Sequence, residues 1–187
     1  MTRGLRRGEL WGLEWVNIEL DVKAETGWVA VREEEHEVGR DAAERASVKS
    51  EAGWRTVPLD RSNVLLLELW RRRQGAERER AGDAWTESGR VFTAEDGGPI
   101  RIDFIGDHFD VLVKRYGLPP VRFHDLRHCA ATYLLAGGAD LKMVAETLGH
   151  SQYSFTADTY ANVLPDLAVT AAEAAVAVIP RRRSTGA

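Results

Sequence analysis

Apolar residues in this chain recur at the spacing of a helix in most segments and alternate like a strand in only one region. Alternation over 18–31, around a turn at Glu25–Thr26–Gly27, predicts a β-hairpin. The segment 49–59 predicts a third short strand, ended by Pro58 because proline cannot donate to a strand ladder. The charged stretch 32–46 between them predicts an exposed loop or a frayed extension of the hairpin. The fold must therefore combine a few short strands with many helices.

Helical spacing predicts the rest of the secondary structure. Asp60 and Asp140 are suited to accept hydrogen bonds from the first turn of two helices, and Gly149 is suited to end one. The polar stretch 75–89 predicts a mobile connection, and the arginine-rich tail 180–187 predicts disorder. The predicted helices cover residues 5–16, 60–73, 102–116, 124–135, 141–148 and 167–179, with a short additional helix carrying Tyr160.

Length and composition favour a single soluble domain. The chain has 187 residues and is 44% hydrophobic and 29% charged. No apolar run approaches the roughly 20 residues that a membrane span needs. The N-terminus lacks an apolar signal core, and the single cysteine, Cys129, fits a reducing compartment. We therefore expect a cytoplasmic protein with no membrane contact.

The charge of the chain neither favours nor excludes a nucleic-acid partner. The net charge of −4 argues weakly against one. Arginines nevertheless cluster near the N-terminus, at 71–73 and at 181–183, while acidic residues concentrate over 33–44 and 77–96. Because a DNA-facing surface depends on the local field rather than on the sum, composition leaves the question open.

One stretch, residues 121–162, concentrates side chains suited to chemistry. His124 and Arg127 are three residues apart, so they share a face if a helix runs through them. His150 directly follows the helix-ending glycine, and Tyr160 lies ten residues further on. Each of these residues alone has an ordinary explanation, such as a helix cap, a surface ion pair or a core aromatic. Together they suggest one site.

With Arg6 and Lys49 from distant parts of the chain, this set suits the cleavage of a phosphodiester. Two guanidiniums, those of Arg6 and Arg127, can clamp the oxygens on which negative charge develops. Tyr160, as a nucleophile, needs a positive field and a nearby proton acceptor, which either histidine of the stretch would supply. A lysine on a hairpin can protonate the leaving oxygen.

These motifs resemble those of the tyrosine recombinases, or phage-type integrases, and the match covers nearly the whole chain as that family's C-terminal catalytic domain. GLRRGEL resembles the first arginine motif, KSEAGWRTVPL the lysine hairpin, HDLRH the H-x-x-R motif, and LGH and DTY the segments with the last histidine and the tyrosine. Each motif alone is weakly specific, but six positions in the right order and spacing are a strong signal. The resemblance implies these site residues: the catalytic Arg6, Lys49, His124, Arg127 and His150, the nucleophile Tyr160, and Glu9 as the supporting acid.

The resemblance also implies a fold and a reaction. The fold is mainly α with a small three-stranded antiparallel β-sheet, the DNA breaking-rejoining fold, over residues 1–179. Family members cleave one strand at a time through a 3′-phosphotyrosyl intermediate, release a 5′-hydroxyl and rejoin the strand to a partner, with no metal or other cofactor. They work as homotetramers on double-stranded DNA, and the predicted helix 167–179 would dock on a neighbouring subunit. The implied function is site-specific recombination, as in an integrase.

The sequence departs from the family pattern in three places. It has no counterpart of the helical DNA-clamping domain, or of the helix that usually precedes the first arginine motif. Its loop 32–46 is long and acidic, and Arg3–Gly4 stands where Thr-Gly is commoner. Because phosphate contacts dominate DNA binding, we expect a truncated form with weak DNA affinity and weak recombination by itself.

Two other functions remain open. His124 and His128, at i and i+4 with an acid beside the first, would bind zinc in a metallohydrolase together with a third histidine later in the chain. Alternatively, the helix–turn–helix pattern over 126–148 would form a non-catalytic DNA-binding module. Only Lys142 and Glu146 of its second helix offer polar groups for reading bases, which is few for that purpose.

Overall fold

The structure, a computed structural model, describes residues 3–37, 43–47 and 54–150. Lys49, Tyr160, the helix predicted at 167–179 and the tail predicted at 180–187 lie outside the described residues. The helices are α1 (Arg7–Trp11), α2 (Arg61–Ala81), α3 (Ile102–Arg115), α4 (Asp125–Ala136) and α5 (Leu141–Leu148). The strands are β1 (Ile18–Asp21), β2 (Thr26–Val31), β3 (Glu33–Glu37), β4 (Ala43–Ser47) and β5 (Arg55–Leu59).

Three strands form the predicted antiparallel sheet, in the order β1–β2–β5. Val29 and Val57 lie opposite each other and are buried on the inner face, whereas Trp28 is exposed on the outer face. Pro58 pairs with Trp28 inside β5, so the prediction that it ends the strand is wrong. The strand tolerates a proline because it lies at an edge of this sheet. The mainly α fold with a small three-stranded sheet is confirmed.

The acidic stretch 32–46 contains a second hairpin rather than a loop. β3 and β4 pair antiparallel in a separate two-stranded sheet. Its register puts Glu35 across from Arg45 and His36 across from Glu44. A run of charges has no strand periodicity, so the sequence alone predicts an irregular exposed segment here.

The N-terminal helix is shorter than the periodicity of 5–16 predicts, since α1 has only five residues. The backbone of residues 13–15 pairs instead with residues 89–91. The N–H of Val91 donates to the carbonyl of Leu13 at 2.9 Å. This bond comes from distant sequence, so local periodicity does not predict it.

α2 is longer than predicted, continuing to Ala81 into the stretch that composition predicts to be mobile. Asp60 caps its start, as predicted. The extension is held by Gln74, whose amide donates to the carbonyl of Arg90 at 3.1 Å and accepts from the Trp15 indole at 2.7 Å. The prediction of mobility is wrong for this part because a buried polar side chain anchors it.

Two apolar clusters form the core of the described chain, and the second one positions the site. It joins α4 to α5, whose bounds agree with the prediction to within a residue, and α5 ends at Gly149, in a left-handed conformation with φ +70°. The buried members of the clusters are Leu13, Val29, Val31, Val57 and Val91 in the first, and Ala131, Leu135, Val144 and Leu148 in the second.

No described helix is both long and apolar enough to cross a membrane.

Candidate active site

Glu9, in the first turn of α1, is the centre of a group of charged side chains and is only 2% exposed. Its carboxylate accepts the backbone N–H of Arg6 at 2.7 Å and the Arg6 Nη1 at 2.8 Å. The first of these bonds satisfies a backbone N–H that has no partner at a helix start. Glu9 therefore holds both the backbone and the guanidinium of Arg6, which is the geometry that a supporting acid requires.

Arg55 of β5, absent from the predicted site, is the second partner of Glu9. Its Nη1 donates to Glu9 Oε1 at 2.9 Å, its Nη2 to Oε2 at 2.8 Å, and its Nε to the carbonyl of Thr147 at 2.7 Å. The one sequence feature that indicates a buried role for Arg55 is strand alternation, which puts Arg55 on the same face as the buried Val57. A cation on that face needs an acidic partner, but alternation does not say which one.

Burial and the two arginines act in opposite directions on the Glu9 carboxyl. Burial alone would raise its pKa, but the hydrogen bonds and positive charges of Arg55 and Arg6 outweigh burial and lower the pKa below its ordinary value of 4.5. Glu9 is therefore ionised at neutral pH and counters part of the positive charge around it.

Three consecutive carbonyls at the end of α5, residues 147–149, each accept an N–H from a different arginine. Arg55 Nε donates to the Thr147 carbonyl at 2.7 Å, Arg127 Nη2 donates to the Leu148 carbonyl, and Arg6 Nη2 donates to the Gly149 carbonyl at 3.0 Å. The last carbonyls of a helix have no partner within it and carry the negative end of its dipole, so cations are favoured there. We call these three guanidiniums and three carbonyls the arginine clamp.

Arg127 of α4 also ties the clamp to the N-terminal segment. It is 5% exposed, and its Nη1 donates to the carbonyl of Gly4 at 2.6 Å. Gly4 has φ +67°, and a Cβ there would collide with the side chain of Leu148. Glycine thus lets this segment lie directly against α5. The Arg6 side chain, 29% exposed, is more accessible to solvent than the Arg127 guanidinium.

His150 follows the clamp directly, and its backbone N–H donates to the carbonyl of Ala145 at 3.0 Å. Burial, followed by the positive charges of Arg127, Arg6 and Arg55, lowers the pKa of His150 to about 4. The imidazole is therefore neutral at pH 7 and can accept a proton.

His124 precedes α4 and packs edge to face against His128, with ring centroids 5.7 Å apart. Burial, followed by the charges of His128 and Arg127, lowers the pKa of His124 below its ordinary value. Both histidines of the predicted site are thus available as proton acceptors near neutral pH.

We expect the His150 imidazole to titrate near pH 4 in the folded protein. An unfolded chain binds this proton with a pKa near 6.5, so it takes up the proton first. His150 therefore lowers the stability of the fold as pH falls from about 6.5 to about 4, and has no such effect above that window. Imidazole NMR against pH, with His150→Gln to assign the signal, measures this. A midpoint at or above 6.5 would mean that the ring is solvated rather than surrounded by guanidiniums.

The described residues give little support to a zinc metallohydrolase or to a non-catalytic DNA-binding module. Among them, no three His, Cys, Asp or Glu side chains converge as metal ligands. In α5, Lys142 and Glu146 lie 3.9 Å apart and form an ion pair with each other.

The structure brings four predicted site residues to one place. Arg6, Glu9 and Arg127 meet around the end of α5, and His150 comes next in the chain. His124 adjoins Arg127 at the start of α4. Lys49 and Tyr160 are not among the described residues, and the catalytic roles of all the predicted site residues stay predictions.

Comparison with known proteins gives consistent matches. Residues 1–166 match the model of the phage integrase family. A tyrosine recombinase XerC-like protein of Caldanaerobacter subterraneus subsp. tengcongensis is 36% identical over 178 residues, covering 91% of this chain and 45% of that protein. An integrase of Saccharopolyspora erythraea is 39% identical over 104 residues, covering 56% of this chain and 24% of that protein. The chain thus spans less than half the length of these two relatives.

Solved structures show the same fold at low sequence identity. The Tn1549 transposon integrase in complex with transposon right end DNA has a TM-score of 0.69 and 21% identity, covering 85% of this chain and 51% of that one. The XerA recombinase has a TM-score of 0.66 and 21% identity, covering 96% of this chain and 55% of that one.

Proposed function

The chain belongs to the phage integrase family, and on that premise we propose that it cuts and rejoins DNA at specific sites as a tyrosine recombinase. The observation that carries the proposal is the position of Arg6 and Arg127. Their guanidiniums bond to adjacent carbonyls at the end of α5, directly before the neutral His150. A phosphate placed against Arg6 would thus meet a strong positive field and a proton acceptor together.

The charges of the site suit a phosphodiester in its transition state. Two guanidiniums, those of Arg6 and Arg55, bond to the Glu9 carboxylate, and Arg127 adds a third positive charge at the end of α5, so the site keeps a positive excess after Glu9 is counted. Arg6 is the accessible donor, with Nη atoms held by Glu9 and by the Gly149 carbonyl. Because these bonds hold the guanidinium before substrate arrives, little reorganisation is needed when negative charge builds on the phosphate oxygens.

In the proposed reaction, the phenolic oxygen of Tyr160 attacks phosphorus while the bond from phosphorus to the 5′ oxygen breaks. The phenol proton passes to His150 or His124, and Lys49 gives a proton to the leaving oxygen. The products are a 3′-phosphotyrosyl link and a 5′-hydroxyl. A 5′-hydroxyl from a partner strand then reverses the step and releases the tyrosine. One phosphate ester forms for each one that breaks, so the chemistry requires no cofactor.

The proposed partners are duplex DNA and further copies of the chain. The Tn1549 integrase, which has the same fold, is solved in complex with its transposon end DNA. We further propose a homotetramer in which the predicted helix 167–179 docks on a neighbouring subunit, and a cytoplasmic location together with the DNA substrate.

A covalent-trapping assay tests this function. The protein is mixed with nicked duplex fragments from its own genome, in EDTA and at low salt because phosphate contacts weaken steeply with salt. Products are separated on a denaturing gel. We expect a protein–DNA adduct that is lost in Tyr160→Phe and kept in Tyr133→Phe, a matched change at an exposed tyrosine of α4.

Other outcomes of this assay point to the other functions. DNA hydrolysis that EDTA abolishes and Tyr160→Phe spares would indicate a metallohydrolase. Binding of the fragments without any adduct, equal in both variants, would indicate a non-catalytic DNA-binding protein. Either result would overturn the proposal.

A further inference from the structure

Arg55 is a buried cation on the inner face of a strand. Along β5, Arg55 and Val57 are buried, while Trp54 and Thr56 point outward. Arg55 lies opposite Val31 of β2, so its neighbours in the sheet are apolar. A charge in such a place is costly unless its donors are bonded, and all three nitrogens of this guanidinium donate to acceptors.

The acceptors of Arg55 belong to the two elements that carry the site. Both oxygens of Glu9 bind its Nη atoms, and Oε1 is shared with Nη1 of Arg6. Since one carboxylate oxygen serves both arginines, a shift of Arg55 displaces the group that orients Arg6. Its Nε meanwhile bonds to the carbonyl of Thr147, three residues before His150.

The Arg55 guanidinium packs closely against the end of α5 at Gly149. A Cβ at Gly149 would lie 2.6 Å from Arg55 Nη1 and 3.0 Å from its Cζ. Only glycine therefore lets the guanidinium lie flat against the helix end, and φ +70° at Gly149 suits glycine as well. The Arg55 guanidinium therefore packs directly against Gly149, and a larger residue at 149 would displace it.

We propose that Arg55 is a positioning residue for strand cleavage: through Glu9 it orients Arg6, and through the Thr147 carbonyl it fixes the helix end that presents His150. The catalytic part of this inference rests on the proposed function. Arg55 also stands six residues after Lys49. The strand that Arg55 anchors is therefore the base of the hairpin predicted to deliver the lysine.

The first test compares Arg55→Lys with the matched change Arg61→Lys, at an exposed arginine that pairs with Glu25. Lysine keeps the charge but cannot donate in three fixed directions. We expect the single-turnover rate of adduct formation at saturating DNA to fall by about 10²-fold in Arg55→Lys. DNA affinity should change little, and Arg61→Lys should match the wild type. An unchanged rate, or a loss confined to DNA affinity, would overturn the proposal.

The second test needs no DNA, which separates this inference from the proposed function. We expect the imidazole signals of His150 to shift in Arg55→Lys, because the Thr147 carbonyl loses its donor, and to stay unchanged in Arg61→Lys. Unshifted signals would overturn the positioning role whatever the protein does to DNA. If the wild type forms no adduct while the signals shift, the proposed function fails and the positioning of His150 stands.

A third variant covers the case in which Arg55→Lys does not fold. Glu9→Asp shortens the carboxylate by one methylene, so it cannot reach Arg6 and Arg55 together. We expect a loss of rate because Arg6 is no longer held, and a shift of the His150 signals because Arg55 moves and changes its bond from Nε to the Thr147 carbonyl. Where both single variants fold, their double variant should lose no more rate than the larger single loss, because the two residues act as one unit. Additive losses would contradict this coupling.

Discussion

Replacing Glu9 by alanine is expected to lower the free energy of unfolding by about 3–5 kcal/mol, the usual cost of removing one partner from a buried ion pair. The Glu9 side chain is fully buried, and that of Arg55 is 6% exposed. Without the carboxylate, Arg55 keeps its charge but loses both of its bonds to Glu9. Arg6, being more exposed, can be hydrated in part, so the larger share of the loss comes from Arg55.

Urea unfolding followed by circular dichroism measures this loss. The matched control is Glu87→Ala, which removes an acid from an exposed pair with Arg78 and should cost at most about 1 kcal/mol. A loss below about 1 kcal/mol in Glu9→Ala would mean that water hydrates Arg55 and that the pair is not buried.

The pH dependence provides a second readout of the same variant. Because the folded pKa of Glu9 is lowered from 4.5, its contribution to stability is complete above that value and is lost as pH falls through the folded pKa. Stability measured against pH should therefore fall less steeply below pH 4.5 in Glu9→Ala than in the wild type.

Replacing Arg127 by methionine is expected to lower the free energy of unfolding by about 2–4 kcal/mol. Charged hydrogen bonds are worth about 1.5–3 kcal/mol each, and removing the buried charge offsets part of their loss because the charge no longer has to be desolvated. Methionine keeps much of the volume of the side chain, so the effect comes mainly from the lost charge and hydrogen bonds. These bonds go to the carbonyls of Gly4 and Leu148, which the variant leaves without these donors.

The control for this change is Arg122→Met, at an arginine five residues earlier in the chain. Arg122 has an 85% exposed side chain that pairs with Asp125, so its loss should leave the stability close to that of the wild type. Thermal and urea unfolding should rank the two variants in the same order. Equal stabilities would show that Arg127 bonds to water rather than to the two backbone carbonyls.

Local signals in the sequence were sufficient for α5. Asp140 accepts the N–H of Met143 at 2.7 Å, as an N-cap does, and Gly149 takes the left-handed conformation that ends a helix. Each signal acts within four residues, so neither depends on the rest of the fold.

Elements with distant partners were the ones that local signals missed. α1 stops early because residues 13–15 pair with 89–91, and α2 continues because Gln74 is held by the Arg90 carbonyl. Arg55 is the clearest case. Strand alternation places it on the inner face, but its partners are 46 and 92 residues away. The choice of Glu9 and Thr147 is made by tertiary packing, which no local pattern contains.

The arginine clamp joins residues that lie far apart in the chain and are therefore synthesised at different times. Arg6 and Gly149 are separated by 143 positions. The Arg6 guanidinium therefore cannot bond to the Gly149 carbonyl until nearly all of the described chain has been synthesised. Synthesis runs from the N-terminus, and contacts this distant form only after both partners have emerged. A nascent chain that ends before Thr147 therefore carries all three arginines but cannot arrange them. The newly made protein therefore completes the arginine clamp only after α5 has been synthesised.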